Sequence, residues 1–412
     1  MNMYEIIEAL QEDVEVPEIV QTKAEEALEQ IRKTCAGGKK KSPVGGKGNV
    51  MSRRGRKRLI VSIAAAVLAI GGTCVAATYR GFSRSTEKQM NISEKQKSEF
   101  ESQAMEKVDK VEAQETEQER VQEMENDTLV TFPEVSATDK GVTVTLQDCI
   151  VDNYNARLSF RVEGYQMPEA PEGMASCQPE LKFGIMVDGE QNPGDISGSF
   201  YSGWYGGAFE KLLEDETIQN YQFPDGSMEY NIHISCIDKG YYMNKPIRVA
   251  FSGFEYYTEK AGEPHMDLEG NWALEWTLRG SDEVYEADVE HGAIGDTGAT
   301  LTHVELSPIS AKVLVHFPKQ EYEEETDDGG IHTTWKEPPR LCGVKLSDGT
   351  VSYDSWLGGG GSLCYVETDI CEILNYSGQI VDVSQVEYLL FQKDYPEDGN
   401  VTDDNFYFVK VR

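Results

Sequence analysis

Six histidines, at positions 233, 265, 291, 303, 316 and 332, are the first place to look for a metal or a general base. A catalytic zinc site of the H-E-x-x-H kind needs two of them one helical turn apart, and no pair has that or another familiar metal spacing. His233 and His316 fall on the polar side of alternating runs, the pattern of exposed or hydrogen-bonded strand histidines. No P-loop and no G-x-S-x-G elbow occurs. "GGGGS" at Gly358–Ser362 lacks the lysine and following helix of a phosphate cradle and reads as a mobile loop. "DGNVTDDN", Asp398–Asn405, offers many oxygens to calcium. It lacks the glycine and the twelfth-position glutamate of an EF-hand, so a solvated turn is expected. "EEETDD", Glu323–Asp328, reads as a solvated loop. The aromatics of "FYSGWYGGAF" could form a ligand platform, but core packing is the simpler role. With 72 Asp and Glu no catalytic carboxylate pair stands out. The expectation is no catalytic site, no metal site and no cofactor, with an extracellular hydrolase as the weakest rival.

Eight cysteines, at 35, 74, 149, 177, 236, 342, 364 and 371, form no C-x-x-C pair, so zinc ribbons and redox dithiols lack support. Cys149 and Cys236 lie in apolar strand patterns and read as small buried hydrophobes. Cys364 and Cys371 are near enough in sequence to bridge.

These residues must be positioned by elements, and the charge and hydropathy of the chain lay them out. The 412 residues exceed what one domain usually needs. Residues 1–58 hold 12 Lys and Arg against 9 Asp and Glu, so of a net −34 the rest of the chain carries −37. Such a body repels nucleic acid, and none is expected as a direct partner.

Leu59 to Ala77 is 19 residues without charge or proline. As a helix it would rise about 28 Å, close to the hydrocarbon thickness of a bilayer. Leu59, Ile60, Val67, Leu68, Ile70 and Val75 are its larger apolar members. "RRGRKR" before it is denser in positive charge than the flank after it, which keeps the N-terminus in the cytoplasm. A cleaved signal peptide is the rival reading, since Val75-Ala76-Ala77 resembles a cleavage site. Fifty-eight patterned residues before the run favour a retained anchor.

The expected order is then cytoplasmic amphipathic helices (1–35), a basic tether (36–58), one transmembrane helix (59–77), a polar stalk (78–128), a β-sandwich domain (129–290) and a second β domain (291–412). In the first segment Val20, Ala24, Ala27, Leu28 and Ile31 form an apolar helical face. Some thirty residues cannot bury a core alone, so this face wants a partner. The tether's lysines and arginines can meet anionic lipid heads. Ser85 to Asp127 is rich in Glu, Gln and Lys, the texture of a solvated helical or disordered spacer. Beyond Leu129, "GVTVTLQDCIVDNYNARLSFRVEGY" reads as a hairpin turning at Asp152-Asn153. "LKFGIMVDG", "YNIHISCID", "IRVAFSGFEYY" and "NWALEWTLRG" continue as strands, which argues for a β-sandwich. "GGAFEKLLEDET", Gly206 to Thr217, reads as one short helix. A second strand series follows, with a tight turn at Ser347-Asp348-Gly349-Thr350.

"VPEIVQTKAEEALEQIRK", a basic tether, one span, the hairpin sequence above, "EGNWALEWTL", "VELSPISAKVLVHF" and "VDVSQVEYLLF" come in a recognisable order. The chain resembles single-pass proteins of Gram-positive bacteria that carry an outer domain of unknown function and are described as anti-sigma-factor-like. The resemblance implies a mainly β ectodomain of two immunoglobulin-like β-sandwich units. It also implies a cytoplasmic segment that holds an extracytoplasmic-function sigma factor at the membrane. Zinc-binding anti-sigma domains use a His and paired Cys. Residues 1–58 contain no His and only Cys35, so any such contact would use helix faces. The alternative is a surface-anchored binding module for a wall component or ligand, with a passive tail.

Overall fold

Alternation of apolar and polar residues, and one break in it, set the first half of the fold. Along Val142–Val151 the side chains of Val142, Val144 and Leu146 enter one core. Register with the partner strand Asn155–Glu163 then shifts between Leu146 and Asp148, a β-bulge that accommodates Gln147. Past the bulge the parity is reversed. Cys149 and Val151 enter the core, while Asp148 and Ile150 serve the opposite face.

A computed structural model describes residues 81–113 and 128–412, apart from 134, 169–177, 192–193, 206–212, 215–216, 219, 258–264, 326–330, 354–360 and 395–400. The apolar helical face expected of Val20, Ala24, Ala27, Leu28 and Ile31 lies outside the described residues, as do the basic tether and the apolar run with Leu59, Ile60, Val67, Leu68, Ile70 and Val75. Among the described residues no helix is long and apolar enough to cross a membrane.

The described chain is mainly β, with two helices, α1 (Arg84–Gln89) and α2 (Glu94–Ala113), before the first strand. In the first β unit a six-stranded sheet runs Val130–Thr131, Val142–Val151, Asn155–Glu163, Met228–Ser235, Asp195–Phe200, with Val135–Asp139 also paired to Val142–Val151. A second sheet runs His265–Thr277, Pro246–Tyr257, Gln178–Val187, Glu190–Gln191. The two share one core, in which Phe160, Tyr230 and Ile232 of the first meet Phe251, Phe254 and Trp272 of the second. Trp272 is fully buried, and its Nε1 donates to the Val142 carbonyl at 2.9 Å, a polar tie across the sheets.

The second β unit has its own core, from Ile294 to Val411. One sheet runs Tyr285–Asp288, Thr300–Ser307, Ser310–His316, Ile370–Tyr376, Gly361–Tyr365; another runs Val351–Ser352, Leu341–Leu346, Val386–Gln392, Phe406–Lys410. The hairpin expected at Ser347–Thr350 is present, with Gly349 at φ 90° and the Thr350 N–H donating to Asp348 Oδ1 at 2.8 Å. The C-terminal strand Phe406–Lys410 is tied into its sheet through Leu389↔Val409.

Four local expectations are corrected. Leu213–Glu214, inside the segment read as a helix, is a short strand paired with Trp204–Tyr205, so tertiary pairing overrides its helical propensity. Glu323 to Glu325 form part of the strand Glu321–Glu325 rather than a loop, paired with Ile331–Trp335. Gly361-Ser362 open a strand against Asn375 and Leu374. The stalk read over 78–128 does not begin as a solvated spacer: Phe82, Ser83, Ser85, Thr86 and Met90 are buried against the β units. Six residues were too few for an apolar stripe to reveal this, because the buried face is mostly hydroxyl.

Candidate functional site

The most elaborate polar site in the described chain is the seat of helix α1. Ser83 is its N-cap, with extended backbone, and its Oγ accepts from the Thr86 N–H at 3.1 Å. A helix start leaves its first N–H groups without partners. Here two buried carboxylates of the sheet take them. Asp148 Oδ2 accepts from the Ser83 N–H at 2.7 Å and Oδ1 from the Thr86 hydroxyl at 2.8 Å. Glu229 Oε1 accepts from the Arg84 N–H at 3.1 Å and Oε2 from the Ser85 N–H at 2.6 Å. The bulge turns Asp148 to this face, and Glu229 lies on the outward parity of Met228–Ser235, whose Tyr230 and Ile232 face the core. Hydroxyls complete the network: Ser159 donates to Ser83 Oγ at 2.6 Å and Ser85 to Asn231 Oδ1 at 3.0 Å. Arg157 Nη2 donates to Gln89 Oε1 at 2.8 Å, holding the far end of the helix.

Apolar residues flank this network. Phe82, Met90, Val130, Ile150 and Ile309 form a separate buried cluster, with Phe100, Phe132 and Ile380 packed on it. Phe82 meets Phe132 edge to face at 5.3 Å and Phe100 at 6.1 Å. Ile309 and Ile380 belong to the second β unit, so the seat is built from both units.

The same hairpin that carries Asp148 also fastens the two β units. Asp152 Oδ1 accepts from the N–H groups of Tyr154 and Asn155, shaping the turn. Its Oδ2 accepts from the Ile309 N–H at 3.0 Å and the Ser310 hydroxyl at 2.6 Å. Asn153 donates to Ser307 Oγ and the Glu283 carbonyl, Tyr154 to Glu305 at 2.5 Å. Ser235 and Tyr376 hydroxyls are 2.6 Å apart, and His233 packs edge to face on the Tyr376 ring at 4.5 Å.

Burial sets the ionisation here. It lifts Asp148 from 3.8 to about 6 despite the donors from Ser83 and Thr86, with Glu229 adding like-charge repulsion. Burial likewise lifts Asp152 to about 6 against its donors, and lifts Glu229. His233 is pushed down to about 3 by burial and then by the neighbouring Arg157 charge, which keeps the ring neutral. The strand position of His233 was legible, but its enclosure in the seam between units was not. For Glu305 burial pulls upward, but the Tyr154 hydroxyl and the Lys239 ammonium outweigh it and hold the carboxyl low.

A shallow groove of about 350 Å³ on the second unit is lined by Asp288, His303, Glu305, Lys312 and Glu372 among others. Its charges are satisfied internally: His303 Nδ1 lies 2.8 Å from Asp288, Lys312 3.2 Å from Glu372, and Lys239 2.9 Å from Glu305. His316 lies 3.2 Å from Asp369. Among the described residues no group of three His, Cys, Asp or Glu is placed to hold a metal. The hydroxyls of the helix seat, Ser83, Ser85 and Thr86, are buried and spend their hydrogen bonds within it. What its geometry can do is grip a peptide segment.

The bridge read from the spacing of Cys364 and Cys371 is not made, and both are free. Cys371 pairs with Tyr365 and Cys364 with Glu372, so the two thiols lie on opposite sheet faces, one buried and one exposed. Phe200, Tyr201 and Phe223 of the aromatic-rich stretch and its surroundings pack inward, Phe200 against Tyr230.

Sequence reasoning missed Ser83, Ser85, Thr86, Asp148, Asp152 and Glu229. The available signals were the cap pattern "SRST" and Asp148, an aspartate interrupting "LQDCIV" where the strand pattern calls for an apolar residue; Asp152 is read from sequence only as a turn residue.

A family model described as a domain of unknown function (DUF4179) matches residues 52–164. That span includes Ser83, Ser85, Thr86, Asp148, Asp152 and Ser159, and stops short of Glu229. No curated protein matches the chain. A crystal structure of a conserved domain protein from Bacillus anthracis is similar, at 13% identity and a TM-score of 0.36, over 64% of this chain and 79% of that one.

Proposed function

We propose that the chain is a single-pass membrane signalling regulator of the anti-sigma-factor-like kind. Its cytoplasmic helices hold an extracytoplasmic-function sigma factor, and its two outer β units, read as immunoglobulin-like sandwiches, respond to conditions outside. The basic tether rests on anionic lipid, and the chain itself catalyses nothing. One observation carries the reading. Helix α1 starts seven residues after the apolar run 59–77 and is seated on two buried carboxylates of the outer body. A passive spacer has no need of such a seat. A segment that must pass movement from the β units to the span does. The resemblance of the sequence to anti-sigma-factor-like proteins supplies the sigma factor, and the basic flank of the span supplies the direction.

The test is affinity capture of the full-length chain from solubilised membranes, beside a chain lacking residues 1–35. Recovery of an RNA polymerase sigma subunit with the full chain, lost on the deletion, is the expected result. Equal recovery with both chains, or none with either, removes the sigma-factor assignment and leaves a surface-anchored binding module.

A further inference from the structure

Helix α1 is held from both β units at once, through a single turn. Residues 307–310 connect the strands Thr300–Ser307 and Ser310–His316 of the second unit. The Ile309 N–H and the Ser310 hydroxyl both donate to Asp152 Oδ2 of the first unit. The Ile309 side chain, fully buried, is part of the cluster that contains Phe82 and Met90. Asp152 lies four residues beyond Asp148, which caps the helix. One turn of the second unit is therefore bolted to the hairpin that grips α1, and it also supplies a wall of the helix's seat.

We propose that the seam between the two β units is the latch of the outer body: parting it at Asp152 withdraws Ile309 from the seat of α1 and frees the segment that leads to the apolar run.

The seam is built for this in a way that neither core is. Its ties are largely polar, through Asp152, Asn153, Tyr154 with Glu305, and Ser235 with Tyr376. Contacts between units of one chain are generally more polar and more readily parted than a core. Each β core closes on its own residues, 142–278 and 294–411, without contributions across the seam. Opening the seam thus leaves both cores closed and removes support from two small clusters that cross it, the one around Phe82 and that of Tyr154 with Leu374 and Tyr376. Coupling of this kind is reciprocal: loss of the helix must loosen the seam as much as loss of the seam loosens the helix. The use of the latch rests on the regulator reading. Its test involves no sigma factor, so either can fail without the other.

The experiment is amide hydrogen exchange on the full-length chain in lipid nanodiscs. It follows amides of 83–90, 307–310 and, as references, Leu158–Phe160 and Leu389–Phe391 in the two cores. Three variants are compared: Ile309→Ser, Phe82→Ser, and the double variant Asn153→Cys with Ser307→Cys, whose native side-chain tips are 3.2 Å apart. Ile309→Ser is expected to speed exchange over 83–90 by roughly tenfold or more with both references within about twofold. Phe82→Ser is expected to speed 307–310 in return. The cysteine pair, once oxidised, is expected to slow 83–90 relative to its own reduced form, and this arm removes no core group. The proposal is overturned if 83–90 keeps its rate in Ile309→Ser, if it speeds up only together with the references, or if the oxidised and reduced locks exchange alike.

Discussion

Replacing Phe82 by alanine isolates the grip of the β units on the segment that follows the apolar run. Phe82 is 1% exposed and meets two rings edge to face. Truncating a buried phenylalanine costs about 3–5 kcal/mol, of which edge-to-face pairs contribute about 0.5–1.5 each. The loss falls on a small cluster, so it acts on local release of 82–90 rather than on either β core. At about 1.4 kcal/mol per factor of ten, the released fraction rises on the order of 10²–10³-fold. Limited trypsin digestion of the full chain reads this at Arg84 and Lys88, whose backbone cannot enter a protease while helical and seated. When closing outpaces cleavage, the cutting rate follows the released population. Phe82→Ala should therefore be cut there at least tens of times faster, with the β units intact. A change below about threefold, or one matched by cutting inside the cores, would refute the idea that Phe82 anchors a separately releasable segment.

Other consequences follow from the same geometry. The folded pKa of Asp148 is raised from 3.8 to about 6, so its neutral form is the one the fold prefers. Its favourable contribution is full below about pH 4 and is lost as pH rises through about 6, amounting to roughly 3 kcal/mol. Asp148→Asn should flatten the denaturation midpoint between pH 4 and 6 relative to the wild type; an unchanged slope would assign the titration to the other buried carboxyls, Asp152 and Glu229. His233, with its pKa near 3, should show no imidazole titration by NMR between pH 5 and 8, whereas a midpoint near its ordinary value would mean the seam is open. Gly194 sits at φ 83°, and a Cβ there would lie 1.9 Å from the Ser235 carbonyl oxygen. Gly194→Ala should cost on the order of 3 kcal/mol, seen as a drop in thermal midpoint; no drop would mean the backbone shifts freely at this edge.

The strands were legible because their alternation is local. Val142, Val144 and Leu146, and Leu158, Phe160 and Val162, declare their shared face in sequence, and "SDGT" declares its turn. What escaped depends on long-range placement. The bulge that accommodates Gln147 reverses parity, so Asp148, which unbroken alternation would aim into the sheet-to-sheet core, is turned to the opposite face and clamps helix α1 there. Ser83, Ser85 and Thr86 look like spacer because hydroxyls are buried only when a partner, here 60 to 150 residues away, hydrogen-bonds to them. Ile309 reads as a turn residue, and nothing local says that its side chain closes the seat of a helix more than 200 residues earlier. The disulfide reading failed for a related reason: sequence nearness of Cys364 and Cys371 says nothing about which sheet face each occupies.

The central claim is that one span separates a small inner segment from the β units outside, and two native thiols test it most directly. Cys364 is exposed on the second unit, and Cys35 lies at the end of the N-terminal segment 1–35, just before the basic tether. Intact cells are treated with a membrane-impermeant maleimide, and labelling is mapped by peptide mass before and after permeabilisation. Labelling of Cys364 in intact cells, with Cys35 labelled only after permeabilisation, is the outcome expected. Labelling of Cys35 in intact cells, or of Cys364 only once the membrane is breached, would contradict the orientation on which the regulator reading stands.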